Sequence, residues 1–250
     1  MEKYKLSPQH QNFKEDLFNI KKIFSQNDNS IHQARNVLKV IPMQGVDTVV
    51  KAFRIPNAIN QFAYAYIRKS KAYKSYFNAI KLQELGVNTP EPIGFIEFYR
   101  NGFFKESFFL SKNYPYAFTM ADVRDNNPDD KENILRAFAQ STYDLHQKGV
   151  WHVDYSGGNV LINKTENGYE FSLVDINRME FKAINAYEGL ENFNKLWLEE
   201  DDLKILALTY ASLAGLDEEK AKKEILLQDQ KLKEHVLRRR KIKSFFKGFK

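Results

Sequence analysis

The sequence predicts an α+β fold of two lobes, a small β-rich one carrying a single long helix and a larger, mainly helical one. Three observations lead there. NVLKVI and DTVVKAF read as two strands around a turn containing Gly45, so the N-terminal part opens as an antiparallel sheet. Helical spacing governs NILRAFAQSTYDLHQKG, where Leu135, Phe138, Thr142 and Leu145 share one face. No internal repeat or low-complexity linker divides the chain, so its 250 residues are expected to form one folding unit. The expected boundaries are a first lobe over about residues 1–112, a second over about 113–230, and a basic tail over about 231–250.

The elements follow in order. Residues 10–25 carry Phe13, Leu17, Ile20 and Phe24 at helical spacing ahead of the two strands. Residues 62–85 look helical, with Tyr73, Tyr76, Phe77 and Ile80 on one face and Lys71, Lys74 and Lys81 along a neighbouring one. GVNTPEPIGFIEFY is a proline-punctuated turn and strand, and ESFFLSKNY is a further strand leading into an inter-lobe crossing near Ser111 to Asn113. ILALTYASLAGL at 205–216 is well short of the roughly 18 to 20 residues that span a bilayer, so it reads as a core helix.

Composition narrows the function classes. At 43% hydrophobic residues the chain can bury a sizeable core, and without cysteine it has no disulfide frame, thiolate nucleophile or cysteine metal site. The opening MEKYKLSPQHQNFKED lacks the apolar core of a signal peptide, so no export is implied. The net charge of +6 is unevenly placed: residues 231–250 hold nine basic residues and one acid, leaving the remainder at −2. That tail sets Ile242, Phe245, Phe246 and Phe249 at the spacing of one helical face, with Lys243, Lys247 and Lys250 off it. Residues 238–250 are thereby expected to lie on an anionic membrane surface. A solvated tail, or a last helix packed on the second lobe, fits the same pattern. No nucleic-acid partner is expected, because no recognition-module motif accompanies the cluster.

The chemistry is concentrated in WHVDYSGGNVLI and FSLVDINRMEF. Asp154 stands five residues before Asn159, and Asp175 ends a separate apolar run, the order in which protein-kinase-like phosphotransferases hold a catalytic base and two magnesium ligands. Phosphoryl transfer asks a protein mainly for positioning and charge stabilisation. Asp154 would accept the proton of the acceptor hydroxyl, while Asn159 and Asp175 would supply oxygen ligands to Mg2+ on ATP. Gly157 and Gly158 would let the loop turn tightly, and His152 would brace it. Lys51, in VVKAF, is the candidate contact to the nucleotide's α- and β-phosphates, and Ser111 and Asn113 are candidate nucleotide contacts at the crossing. ATP would lie between the lobes. Asp154 and Asp175 could separately be turn acids at strand ends, but the ordered set, following a helix and preceding NVLI, favours an ATP-dependent kinase.

Two features depart from the protein-kinase pattern. G-x-G-x-x-G is absent, Gly45 being the only glycine between Arg35 and Lys51. Residues 61–83 contain no Asp or Glu, so the helix glutamate that pairs with the strand lysine has no counterpart, Glu84 being too near the helix end. Asn177 replaces the glycine of D-F-G, and Ser156 stands where protein-serine kinases carry a lysine, which disfavours a peptide substrate.

RNVLKVI, VVKAF, SKAYKSYFNAIKLQELGVNTPEPIGFIE, LHQKGVWHVDYSGGNVLI and FSLVDINRMEF together resemble the bacterial lipopolysaccharide kinase family over roughly residues 35–215. The resemblance implies a protein-kinase-like fold and transfer of the ATP γ-phosphate, with Mg2+, to a sugar hydroxyl of the lipopolysaccharide inner core, Kdo or heptose on lipid A. It also implies a cytoplasmic location, peripheral on the inner face of the inner membrane. The alternatives are a kinase for a protein or another small metabolite, and a membrane-associated pseudokinase scaffold.

Overall fold

In the computed structural model, which describes residues 1–28, 30–33, 36–53, 61, 63, 64 and 67–247, Gln44 and Gly45 both take positive φ, 51° and 74°. That is the backbone of a two-residue hairpin turn, and it joins β3 (Asn36–Met43) to β4 (Val46–Phe53) in the register Met43↔Val46. Residues 34 and 35 lie outside the described residues. Two compact units result, Met1–Pro115 with Val174–Arg178, and Tyr116–Leu173 with Met179–Lys250.

The first unit is built on a six-stranded antiparallel sheet of order β1-β5-β6-β4-β3-β2, completed by β1 (Glu2–Leu6), β2 (Ser30–Gln33), β5 (Pro92–Arg100) and β6 (Phe103–Lys112). Strand alternation puts Val50 into the core with Ile41, Met43, Ile96, Phe98, Phe108 and Leu110, and so turns Lys51 to the opposite face. Under that core lie Phe13, Leu17 and Ile20. The helical run expected over 10–25 is broken. It is a 3-10 stretch, Pro8–Phe13, followed by α1 (Lys14–Phe18) and α2 (Ile20–Gln26), interrupted at Asn19 with ψ near 5°. The apolar spacing still holds, because all three side chains reach the core at 0 or 1% exposure.

On the other side, α3 (Lys71–Glu84) packs on β5, with Tyr73 and Tyr76 against Phe95 at 5.4 and 5.5 Å. β5 is covered on both faces, and its first seven residues are buried without alternation. The expected helix over 62–85 is interrupted: Ala63 and Tyr64 are helical, residues 62, 65 and 66 lie outside the described residues, and Ile67 to Ser70 are not helical. Ser70 is extended, and its hydroxyl accepts the Tyr73 N–H at 3.0 Å, an N-cap that places the first turn at Lys71. Its inward face is also corrected: Ala72, Ser75, Tyr76, Ala79 and Leu82 are buried, whereas Phe77 is exposed.

The second unit is mainly helical. It contains α4 (Met120–Asn126), α5 (Lys131–Gln147), α6 (Ala186–Glu191), α7 (Glu200–Ala214) and α8 (Glu218–Lys247). A three-stranded sheet pairs β10 (Gly168–Leu173), β9 (Val160–Thr165) and β7 (Phe118–Thr119), and β8 (Val150–His152) pairs with β11 (Met179–Phe181). Leu135, Phe138, Thr142 and Leu145 of α5 are all buried, and Leu206, Ala207, Tyr210 and Ala211 make α7 a core helix. α8 buries Ala221, Ile225 and Asp229 and then leaves Leu237 to Ile242 exposed. Of the expected apolar stripe, Ile242 is 56% exposed, while Phe245, Phe246 and Phe249 lie outside the described side chains. No helix among the described residues is long and apolar enough to cross a membrane.

Candidate active site

In the first unit, β4 delivers Lys51 to the segment Val174–Arg178. Lys51 Nζ lies 2.6 Å from Asp175 Oδ1, with side chains 11% and 30% exposed. Asp175 holds φ at 53°, a left-handed conformation that Asp tolerates better than most residues and that recurs at functional sites. Asn177 donates its amide to the same Oδ1, so the position where D-F-G has glycine supplies a second donor to the carboxylate. From α3, Asn78 Nδ2 donates to Ile176 O at 2.7 Å. The helix thus reaches this segment through a neutral amide, and the carboxylate facing Lys51 comes from Asp175. Glu84 pairs with Lys81 at 3.5 Å.

At the crossing, Ser111 is buried in β6 between Val49 and Pro92, and Asn113 N donates to Asp47 O at 2.7 Å. Glu91 fastens this stretch, taking Lys112 and His10 at 2.7 Å each. Burial pushes the Glu91 carboxyl up, but hydrogen bonds from Lys112, His10 and Gln9 hold it below its ordinary value.

In the second unit, the loop after β8 is held by buried side chains on either side of Asp154. The Asp154 N–H donates to His152 Nδ1 at 3.1 Å, so His152 is an acceptor there and fully buried. Tyr155 stacks on Phe138 at 5.3 Å, and its hydroxyl meets Thr142 Oγ1 at 3.0 Å. Burial raises the Tyr155 hydroxyl well above the usual phenol range. Asn159 Nδ2 donates to Asp154 O at 2.8 Å. Only the amide nitrogen can serve a carbonyl, which leaves Asn159 Oδ1 as an open oxygen. Among the described residues the Asp154 carboxylate takes no hydrogen bond or ion pair.

The expected role of the two glycines needs correction. Neither Gly157 nor Gly158 has positive φ. A Cβ on Gly157 would sit 2.8 Å from Ala121 N, so this residue is required for close backbone approach to the first turn of α4; around Gly158 there is open space.

Sequence reasoning missed four residues that fix these loops: Asn78, Tyr155, Asn192 and Lys195. Asn192 Nδ2 donates to His152 O at 3.0 Å, which orients Asn192 Oδ1 toward His146 Nε2 at 3.2 Å. His146 Nε2 must then carry the proton, and Tyr210 donates to Nδ1 at 2.8 Å. Burial, only partly offset by the Asn192 hydrogen bond, brings the His146 pKa down to about 4. Lys195 Nζ donates to Val153 O. The N-x-x-K spacing was the only local signal.

Each unit presents an oxygen donor of the kind Mg2+ takes, the Asp175 carboxylate in the first and the Asn159 amide carbonyl in the second. Among the described residues no cluster of three or more His, Cys, Asp or Glu side chains could hold a metal by itself.

The family model for the lipopolysaccharide kinase (Kdo/WaaP) family matches residues 59–209. The chain belongs to that family. It is accordingly a phosphotransferase with an alcohol acceptor, a sugar kinase of lipopolysaccharide biosynthesis that uses a nucleotide. A search of curated proteins returns no match. Among solved structures, WaaP in complex with acyl carrier protein aligns at TM-score 0.60 and 16% identity, over 93% of this chain and 98% of the other. That likeness establishes the protein-kinase-like α+β fold for this family member. The Rio2 kinase complex with ADP, Mg2+ and phosphoaspartate from Chaetomium thermophilum aligns at TM-score 0.47 and 14% identity, over 83% of this chain and 65% of that one. WbdD aligns at TM-score 0.47 and 15% identity, over 81% and 49%.

Proposed function

We propose that this lipopolysaccharide kinase transfers the γ-phosphate of ATP to a hydroxyl of an inner-core sugar, Kdo or heptose on lipid A. Residues 1–250 act as one kinase domain in this reading, with a first lobe over about residues 1–112 and a second over about 113–230. Asp154 accepts the proton of the acceptor hydroxyl as that oxygen attacks the γ-phosphorus and the bond to the β–γ bridging oxygen breaks. Lys51 contacts the α- and β-phosphates, and Ser111 and Asn113 contact the nucleotide at the crossing. Asn159 and Asp175 hold Mg2+, which neutralises charge on the phosphates.

The observation that carries the reading is the pairing of Asp154 and Asn159. The Asn159 amide clamps the Asp154 carbonyl at 2.8 Å, which spends the nitrogen and presents the oxygen, while the Asp154 carboxylate beside it has no partner among the described residues. A partly desolvated acid held on a rigid loop but used by no structural contact is the arrangement a general base requires. The basic C-terminal stretch, residues 238–250, whose described side chains are exposed, supports residence on an anionic membrane, at the inner face of the inner membrane where the lipid-linked acceptor would be met.

The test is phosphate transfer from labelled ATP to lipid A carrying Kdo, by wild type and Asp154→Ala. Removing a general base costs about 10² to 10⁴ in rate, so the variant should fold and scarcely turn over. Near-wild-type transfer by Asp154→Ala would remove the base assignment. A wild type active only on a protein or another metabolite would move the acceptor, and one inert toward every acceptor would leave the scaffold reading.

A further inference from the structure

Asn192 and Lys195 occupy a 3-10 turn, Asn192–Leu196, in which three residues make one turn and positions i and i+3 eclipse. Phe193 and Leu196 point into the core at 0 and 1% exposure, so the Asn192–Lys195 face is left for the loop. It meets two consecutive carbonyls: Asn192 donates to His152 O at 3.0 Å and Lys195 Nζ to Val153 O. The next residue is Asp154.

The two contacts differ in what they leave over. A neutral amide is enough for a carbonyl, as Asn192 demonstrates. An ammonium brings three protons and a full charge, and the carbonyl uses one proton and none of the charge. Lys195 is half-buried, and among the described residues no carboxylate lies within ion-pair distance of it. A partly desolvated cation without a counter-ion is costly to maintain. Ser156, where protein-serine kinases carry a lysine beside the base, offers only a hydroxyl.

We propose that Lys195 forms an anion subsite next to Asp154, its ammonium binding an oxyanion of the reacting complex. The inference rests on Asp154 being the base. Two sources present this chemistry, the phosphoryl group in transfer and an acidic group of the acceptor sugar.

Three proteins separate the outcomes: wild type, Lys195→Met, which keeps length and loses charge, and Lys195→Arg, which keeps charge and donor. With lipid A carrying Kdo as acceptor probe, Lys195→Met should lower kcat/KM for transfer by about 10²-fold, the scale of losing one oxyanion-stabilising donor. Lys195→Arg should recover most of it, with both variants melting close to wild type. If the phosphoryl group is the anion, acceptor-free ATP hydrolysis falls together with kcat. If the acceptor supplies it, hydrolysis holds and the acceptor KM rises. A turnover-competent wild type beside a Lys195→Met protein within about twofold of it overturns the subsite alone, as does Lys195→Arg failing as badly as Lys195→Met. A wild type that transfers nothing takes the base assignment away, and the subsite with it.

Discussion

Lys51 Nζ and Asp175 Oδ1 lie 2.6 Å apart, although 124 residues separate them in the chain. Asp175 holds this position at φ 53° with the Asn177 amide on the same oxygen and the Asn78 amide on the neighbouring Ile176 carbonyl. A family member without an acidic residue in the middle of α3 thus keeps its strand lysine paired, and it ties that helix to the same segment with a neutral hydrogen bond.

Asp175→Asn should test the pair. It preserves shape but leaves the Lys51 ammonium with no charged partner, a loss of about 1 to 2 kcal/mol once the partial exposure of Asp175 is allowed for. The larger effect should be on nucleotide: calorimetry is expected to show that ATP binding no longer responds to magnesium. An ATP affinity equal to wild type in magnesium would remove Asp175 from the ligand set.

Gly157→Ala and Gly158→Ala form a matched comparison. The first drives a methyl to 2.8 Å from Ala121 N, against backbone that cannot swing away, and should cost about 1 to 3 kcal/mol with a fall in turnover. The second meets open space and should stay within about 0.5 kcal/mol of wild type. Chemical denaturation of both proteins checks this, and equal midpoints would show the close approach at Gly157 to be unimportant.

His146 predicts an acid limb of stability. Its folded pKa of about 4 lies below the ordinary 6.5, so the unfolded chain binds more protons between those values. Stability should therefore be fully present above pH 6.5 and decline as pH falls toward 4, by up to about 3 kcal/mol at about 1.4 kcal/mol per pH unit. Melting temperatures across this window should flatten in His146→Leu, a protein less stable at neutral pH because Tyr210 and Asn192 lose their shared partner. An equally steep decline in the variant would assign the acid limb to other groups.

Deleting residues 238–250 removes seven basic residues from a stretch whose described side chains are exposed. Thermal stability should change by less than about 0.5 kcal/mol. Binding to vesicles rich in anionic lipid should weaken by about tenfold or more, since each basic residue near the surface adds about 1 kcal/mol. ATP hydrolysis should be spared. A truncated protein that sediments with vesicles as wild type does would end the membrane role of this segment.

Much of the fold was legible because short-range periodicity records it. Alternation in DTVVKAF separated Val50 from Lys51, helical spacing put Leu135, Phe138, Thr142 and Leu145 on one buried face, and the five-residue step from Asp154 to Asn159 lies within a single loop. Local sterics and the side-chain period enforce such patterns, so one strand or turn carries them whole. The break before α3 was missed because the apolar pattern runs on upstream of Ser70, whose side chain caps a new first turn at Lys71.

Tertiary structure alone decided which polar groups hold the loops. Asn78 finds Ile176 across 98 residues, Asn192 finds His152 across 40, and Tyr210 finds His146 across 64. No periodicity marks such partners, because a hydrogen bond depends on where two distant backbones come to rest and an isolated Asn or His looks like any surface residue until they do. The candidate residues for the chemistry could be named from their order along the chain; those that position them became visible only when the chain had folded.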